Sequence, residues 1–283
     1  MNRYLKLVHM EVDRFKYILA GIMSLTLICQ FGAVIWWTKN ALSYRESGAW
    51  SNGSSMPYSS YNSSHNGNLS FTEVISNTQS ISMIPILLSI GVLVIYVFLI
   101  WYRDWFGRNT FIYRLLILPT ARRHIYFAKL TAILIFIFTL VTFQLALLPV
   151  EKLIFNLIVP SDMRDFSYLP HNIYANRALP LLIPWNLDTF LLYYGLGIIA
   201  VMAIFTAILI ERSYRRVGII YAILYIGISS FLLIFPLFGL GLNDLNTYLY
   251  PNEIFAIELV MCLGVMAISV WLGCRLLSKK ISV

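Results

Sequence analysis

Charged residues are scarce in this chain. They make up 12% of its 283 residues, while 59% of the residues are hydrophobic. A soluble domain usually carries about 25% charged residues, so this shortage excludes an ordinary soluble globular protein. It favours a chain whose side chains mostly contact lipid or other apolar helices.

Because charged residues are few, long stretches of the sequence contain none. A helix needs about 20 apolar residues to cross a bilayer, and six stretches meet this length: Tyr17–Thr38, Met83–Tyr102, Leu130–Val150, Phe190–Ile210, Val217–Gly239 and Ile254–Cys274. Five contain no charged residue, and the sixth contains one acid, Glu258. The first lacks a small-residue cleavage site, so we interpret it as a retained helix and not as a signal peptide. We predict an all-α membrane protein with six transmembrane helices.

Cysteine is also rare, and the familiar motifs of catalysis are missing. The three cysteines all fall in predicted spans, in an odd number and without the spacing of a metal site, so we interpret them as apolar packing residues. There is no GxxxxGK[ST] phosphate loop, HExxH, GxSxG or CxxC, and the four histidines are scattered. We therefore expect that this chain is not itself catalytic and binds no cofactor or metal.

Basic residues are distributed unequally between the two sides. If the termini and the even-numbered loops share one side, that side holds 16 of the 21 Lys and Arg residues. The five on the other side are Lys39, Arg45, Lys152, Arg164 and Arg177. By the positive-inside rule, both termini are cytoplasmic and the protein is a multi-pass protein of the cell membrane. The net charge of +8 then reflects topology and attraction to anionic membrane lipids, and predicts no nucleic-acid partner.

The chain divides into a short N-terminal segment and one membrane domain. Residues 1–16 place Leu5, Val8, Val12 and Phe15 on one helical face, which predicts an amphipathic helix in the inner interface. Residues 17–283 form the six-helix domain. Its main connections are outer loops at about 39–82 and 151–189 and a cytoplasmic coupling region at about 103–129.

The cytoplasmic region contains FIYRLLILPTARRHIYFAKL, residues 111–130. Pro119 disfavours helix at Leu118, so a short helix should end there. Arg122 and Arg123 then fall in the first turn of the next helix, where each opposes the helix dipole by about 0.3–1 kcal/mol. Topology signalling with lipid contact is one explanation for them. A docking surface for a cytoplasmic partner is the other.

The segment RNTFIYRLLILPTARRHIYFAKL resembles the cytoplasmic loop of ABC-2-type transporter permeases, in the variant common in Gram-positive bacteria. Those loops often show a short helix ending in Leu-Pro, then a basic residue, then a Lys near the third span. The matching positions here are Leu118, Pro119, Arg122 or Arg123, and Lys129. The broad family often has a Glu before the Leu-Pro, where this chain has Tyr113-Arg114.

The resemblance implies a coupling helix seated on an ATP-binding cassette subunit, which would carry the ATP and Mg. The coupling residues would be Phe111, Tyr113, Arg114, Leu115, Leu118, Pro119, Arg122 and Arg123. It also implies a second permease, as a homodimer or a sibling chain. The transported substrate would be an amphiphile such as a lipid, a drug or an antimicrobial peptide, and export of the last would give resistance.

Other functions stay open at this point. Glu258 is the one acid well inside a span, and such acids usually face the bundle interior. It is a candidate substrate or gating residue, or a side chain that simply reaches the nearby interface. An ion-driven secondary transporter would require more intramembrane charge and usually inverted repeats. A non-transporting sensing or assembly subunit would use the outer loops to bind a partner.

Overall fold

The computed structural model describes residues 3–46, 69–106, 122–165, 179–184, 186–239 and 250–279. Within them the helices are α1 (Arg3–Glu46), α2 (Phe71–Phe106), α3 (Arg123–Ile158), a 3-10 helix (Ser161–Met163), α4 (Leu179–Leu182), α5 (Leu187–Ser213), α6 (Arg215–Gly239) and α7 (Pro251–Lys279). Six of these described helices, all but the 3-10 helix and α4, are long and apolar enough to cross a membrane. Each contains one predicted span, so the prediction of six helices with the length and apolarity of membrane spans is confirmed, and no strand lies within the described residues.

Three helices extend further than the predicted spans at the ends that the sequence predicts to face outward. Helix α1 continues to Glu46, α2 begins at Phe71, and α3 ends at Ile158, so parts of both predicted outer loops are helical. The start of α2 shows why. Its buried side chains are Phe71, Val74, Ile75 and Thr78, at the spacing of one helical stripe. A polar segment with one such stripe can stay helical beyond the membrane.

The N-terminal segment has no helix boundary at residue 16, because α1 runs unbroken from Arg3 to Glu46. The buried side chains among its first described residues are Leu7, Val8, Glu11 and Phe15. Leu5, placed on the apolar face by the sequence, is 51% exposed. The buried face is therefore rotated from the predicted one and includes an acid. A position in the inner interface stays a prediction.

The chain forms two compact units. The first comprises Met1–Phe15, Val92–Ile135 and Asn186–Val283, and within it α5, α6 and α7 pack against one another. A single non-helical residue, Tyr214, joins α5 to α6. A Cβ atom at Gly218 would lie 2.3 Å from the carbonyl oxygen of Glu211. Glycine is thus what allows the first turn of α6 to approach the last turn of α5 so closely.

The second unit comprises Lys16–Gly91 and Phe136–Trp185. Its apolar core includes Phe71 and Phe155, whose ring centroids are 5.6 Å apart. The backbone N–H of Leu69 donates to the Met163 carbonyl at 2.8 Å, and the Leu69 carbonyl accepts from the N–H of Asp165 at 3.0 Å. These bonds fix the chain just before α2 to the segment after α3.

Candidate functional site

A buried ionic cluster lies where α1, α2 and α3 meet in the first unit. Its centre is Lys129 on α3, which is 1% exposed, with Glu11 on α1 at 2% and Asp104 on α2 at 1%. The Lys129 ammonium donates to Glu11 Oε1 at 3.0 Å, to Asp104 Oδ2 at 2.5 Å and to the Ile100 carbonyl at 2.7 Å. An ammonium has three protons, so these three acceptors satisfy it fully.

Two arginines complete the cluster around this centre. Arg14 Nη1 lies 3.1 Å from Asp104 Oδ1 and 3.5 Å from Glu11 Oε1. Arg103 Nη2 donates to Glu11 Oε2 at 3.0 Å. Three cations therefore face two carboxylates, and all four carboxylate oxygens accept at least one charged donor. We name these five residues the α1–α3 ionic cluster.

Aromatic side chains enclose the cluster. The Lys129 ammonium lies 5.1 Å from the centroid of the Trp101 ring, within the range of a cation–π contact. Trp101 is 0% exposed, and its ring meets that of Phe205 edge-on at 5.6 Å. The Phe15 and Tyr96 rings pack in a tilted arrangement with their centroids 4.0 Å apart. The Lys129 ammonium and the two carboxylates are thus paired in a largely dry setting, whereas the side chains of Arg14 and Arg103 are 26% and 38% exposed.

Burial decides what the cluster contributes. A buried ion pair adds little net stability, because removing charges from water offsets their attraction. Removing one partner, however, leaves an uncompensated buried charge and costs about 3–5 kcal/mol. Because breaking these pairs is costly, the cluster favours one relative arrangement of α1, α2 and α3 at this point.

The cluster brackets the region that the sequence singled out. Asp104 is in the last turns of α2 and Lys129 in the second turn of α3, so they stand on either side of residues 107–121. Six predicted coupling residues fall in that segment and lie outside the described residues: Phe111, Tyr113, Arg114, Leu115, Leu118 and Pro119.

Arg122 and Arg123 are the two predicted coupling residues that the structure describes. Helix α3 begins at Arg123, which lies in the first turn as predicted, whereas Arg122 lies in a turn just before the helix and not within it. Arg122 Nη1 donates to the Leu277 carbonyl at 3.1 Å, which satisfies an end carbonyl of α7. Arg123 is exposed. The two adjacent arginines thus differ, because one is engaged within the chain and the other faces outward.

The end of α2 also contacts the last turn of α5, just before the connection to α6. The hydroxyl of Tyr102 donates to Glu211 Oε2. The Arg212 guanidinium lies 5.0 Å from the centroid of the Tyr102 ring and 5.8 Å from that of Trp105. These contacts join the last turns of α2 to the last turn of α5.

Deeper in the first unit, a small polar network links the remaining helices. Ser269 of α7 donates to the Val265 carbonyl at 2.7 Å, so Tyr225 of α6 is the donor in its 2.6 Å bond to Ser269 Oγ. Thr206 of α5 lies 3.0 Å from the Ser269 carbonyl. Hydrogen bonds of this kind between spans are worth about 1 kcal/mol each, and here one α7 residue serves both neighbours.

Glu258 lies apart from these contacts, seven residues after the start of α7. It is 4% exposed, and its Oε1 has no hydrogen-bond partner within the described residues. The described part of the chain also contains no group of three or more His, Cys, Asp or Glu that could hold a metal ion.

Sequence reasoning placed Lys129 by family resemblance but missed its partners. The signal for Glu11 was present, since it falls at helical spacing among Leu7, Val8 and Phe15. An acid in the middle of an apolar stripe predicts a buried cation elsewhere in the chain.

Comparison of the chain with protein-family models, with curated proteins and with solved structures gave no match.

Proposed function

We propose that this chain is the membrane-spanning permease subunit of an ATP-driven exporter, and that a separate ATP-binding cassette subunit hydrolyses the ATP. The observation that carries the proposal is the α1–α3 ionic cluster. Its members Asp104 and Lys129 stand on either side of residues 107–121 and are paired with each other. A partner that displaces this segment therefore moves the adjoining ends of α2 and α3 together.

The contacts around the cluster extend that motion to other helices of the first unit. Glu11 brings in α1 through its bond to Lys129. Tyr102 brings in the end of α5 through Glu211, and Arg122 reaches the end of α7 through the Leu277 carbonyl. Because the helix ends next to residues 107–121 make these contacts, an ATP-binding subunit that displaces the segment could move the spans as a rigid body.

The proposal includes the partners and place of action. The chain lacks a phosphate loop, so the ATP and its Mg belong to the partner subunit. Two permeases act together, as a homodimer or with a sibling chain, in the cell membrane with both termini cytoplasmic. The substrate is an amphiphile such as a lipid, a drug or an antimicrobial peptide, in keeping with the apolar character of six membrane-crossing helices.

The first test is purification from the native host in mild detergent, followed by identification of the proteins that remain bound. We expect a stoichiometric soluble subunit with a GxxxxGK[ST] loop, and ATP hydrolysis that responds to amphiphiles. Recovery of this chain alone, under conditions that preserve a control transporter complex, would reject the proposal.

Glu258 favours one other candidate, an ion-driven secondary transporter. A nearly buried acid whose Oε1 lacks a partner within the described residues is a group that could take up and release a proton. A transport assay in sealed vesicles distinguishes the two candidate functions. An ATP-driven exporter works without a proton gradient, whereas a proton-driven one stops when a protonophore is added.

A further inference from the structure

A groove of about 1340 Å³ runs along one side of α7 in the first unit. Its apolar wall is formed by Leu263, Met266 and Val270 together with Trp271. At one end the wall gives way to Arg123 from α3 and Arg275 from α7. The groove therefore has an apolar length and a basic end.

The length of the groove matches one leaflet of a bilayer. Leu263 and Arg275 are separated by 12 positions, which is about 18 Å along an α-helix. The hydrocarbon region of a bilayer is about 30 Å thick, so one leaflet supplies about 15 Å. An acyl chain anchored at the basic end would lie beside Val270, Met266 and Leu263 in turn.

The basic end is available to an anion. Arg123 and Arg275 are exposed, and neither forms an ion pair with an acid within the described residues. The guanidinium of Arg275 lies over the Trp271 ring at 4.9 Å, which holds its position. Guanidinium groups present planar pairs of donors that fit phosphate oxygens. No acidic residue is among the described residues that line the groove.

We propose that this groove binds one anionic phospholipid from the leaflet at the basic helix ends, which the positive-inside rule makes the cytoplasmic leaflet. The phosphate lies between Arg123 and Arg275, and one acyl chain lies along Met266 and Leu263. A free phosphate would leave the apolar wall unused. A second copy packed through this face would bring two sets of arginines together without acids in the groove to pair them. The site does not depend on the proposed transport function.

The test uses the purified full-length chain in detergent, with native mass spectrometry to count bound lipids. Phosphatidylglycerol and phosphatidylcholine with the same acyl chains are the two probes. We expect the double variant Arg123→Gln/Arg275→Gln to bind phosphatidylglycerol about tenfold or more weakly, since charge-assisted hydrogen bonds are lost. Binding of phosphatidylcholine should change less, because its choline cation already offsets the attraction between its phosphate and the two arginines.

The control is Lys6→Gln/Lys16→Gln, which removes the same charge from exposed positions of α1. It should retain the affinity for phosphatidylglycerol. Ala267→Trp tests the apolar wall separately, because this exposed position lines the groove and the indole would block the acyl chain without changing any charge. It also serves if the arginine variant cannot be purified.

Three results would overturn the proposal. One is an equal loss of phosphatidylglycerol in the lysine control, which would mean general charge attraction. Another is unchanged phosphatidylglycerol binding in Ala267→Trp, which would mean a phosphate site without a lipid chain. The third is disulfide cross-linking between two copies through Ala267→Cys, which would mean a protein interface.

Discussion

The ammonium of Lys129 lies 2.5 Å from a carboxylate oxygen of Asp104, although the segment proposed to receive a partner lies between these residues in the chain. The pair ties the last turn of α2 to the second turn of α3, on either side of that segment in the chain. Both residues are almost fully buried, so these two helix ends cannot separate without exposing a charge or leaving it unpaired. The first two predictions follow from this pair and from the segment between its two members.

Replacing Lys129 with Met should destabilise the protein by about 3–5 kcal/mol. Glu11 and Asp104 each lose a buried charge-assisted hydrogen bond worth about 1.5–3 kcal/mol. Among the described residues they keep only the partly exposed Arg14 and Arg103 as cationic partners. The measurement is the thermal unfolding midpoint in detergent. Arg103→Gln is the matched control. Its side chain is 38% exposed, and Glu11 keeps Lys129 as a partner, so we expect a loss of about 1 kcal/mol or less.

A double variant checks that the loss at Lys129 comes from pairing and not from packing. Lys129→Met/Asp104→Asn removes one of the two carboxylates that lose Lys129, along with the cation itself. It should be less destabilised than the sum of the two single variants by about 1 kcal/mol or more. Strictly additive losses would contradict a paired cluster.

Charge reversal at Arg123 should uncouple the ATP-binding subunit while the spans stay inserted. Arg123 faces outward at the start of α3, so a glutamate there would repel an acidic docking surface and weaken binding about tenfold, or 1.4 kcal/mol. Arg123→Glu spares the bond of Arg122 to the Leu277 carbonyl. It also removes an arginine of the proposed lipid groove, however, and Ala267→Trp tests that groove without changing Arg123. The measurement is ATP hydrolysis by the reconstituted complex with and without substrate.

Helix-breaking Leu115→Pro/Leu116→Pro is the second way to test the same idea, since it alters the predicted coupling helix without removing a charge. Lys6→Glu, at an exposed site on α1, is the control and should leave coupling intact. Wild-type transport and subunit binding in both the arginine and the proline variants would sink the coupling-helix hypothesis.

Alanine at Gly218 should separate α5 from α6. Its Cβ would lie 2.3 Å from the Glu211 carbonyl oxygen, which no side-chain movement can relieve, so we expect a loss of about 1–3 kcal/mol. Gly227→Ala on the same helix is the control. Nothing lies within 4 Å of a Cβ atom there, and alanine should be neutral or stabilise α6 by up to about 1 kcal/mol. Similar unfolding midpoints for the two variants would refute the close approach.

The neutral variant Glu258→Gln should keep both its fold and ATP-driven transport. Glutamine has nearly the same shape and relieves the burial of a charge. Uptake of a fluorescent amphiphile into inside-out vesicles, with ATP and with or without a protonophore, is the measurement. If Glu258→Gln loses transport, and if a protonophore stops transport by the wild-type protein, the ion-driven secondary transporter would be favoured instead.

The spans were predictable from the sequence because absence of charge over 20 residues is a local property. Lys129, next to the apolar run that begins at Leu130, could also be singled out, because it matches the lysine near the third span in the family that the segment resembles. The pairing of Lys129 with Glu11, 118 positions away, could not be predicted. The periodicity within α1 shows which residues share a helical face, but it does not show which other helix packs against that face. The rotation of that face away from Leu5 has the same origin. The apolar face predicted from the sequence omits Glu11, because a buried carboxylate is expected only when the cation that pairs with it, here Lys129, is known.

The single residue between Ser213 and Arg215 limits how α5 and α6 can move. With one connecting residue and with Gly218 against the Glu211 backbone, neither helix can slide along the other by a turn. Tyr102 meets this connection through Glu211. A displacement of the end of α2 would therefore be passed to α5 and α6 together, and the proposed transport cycle would move these two helices as one body.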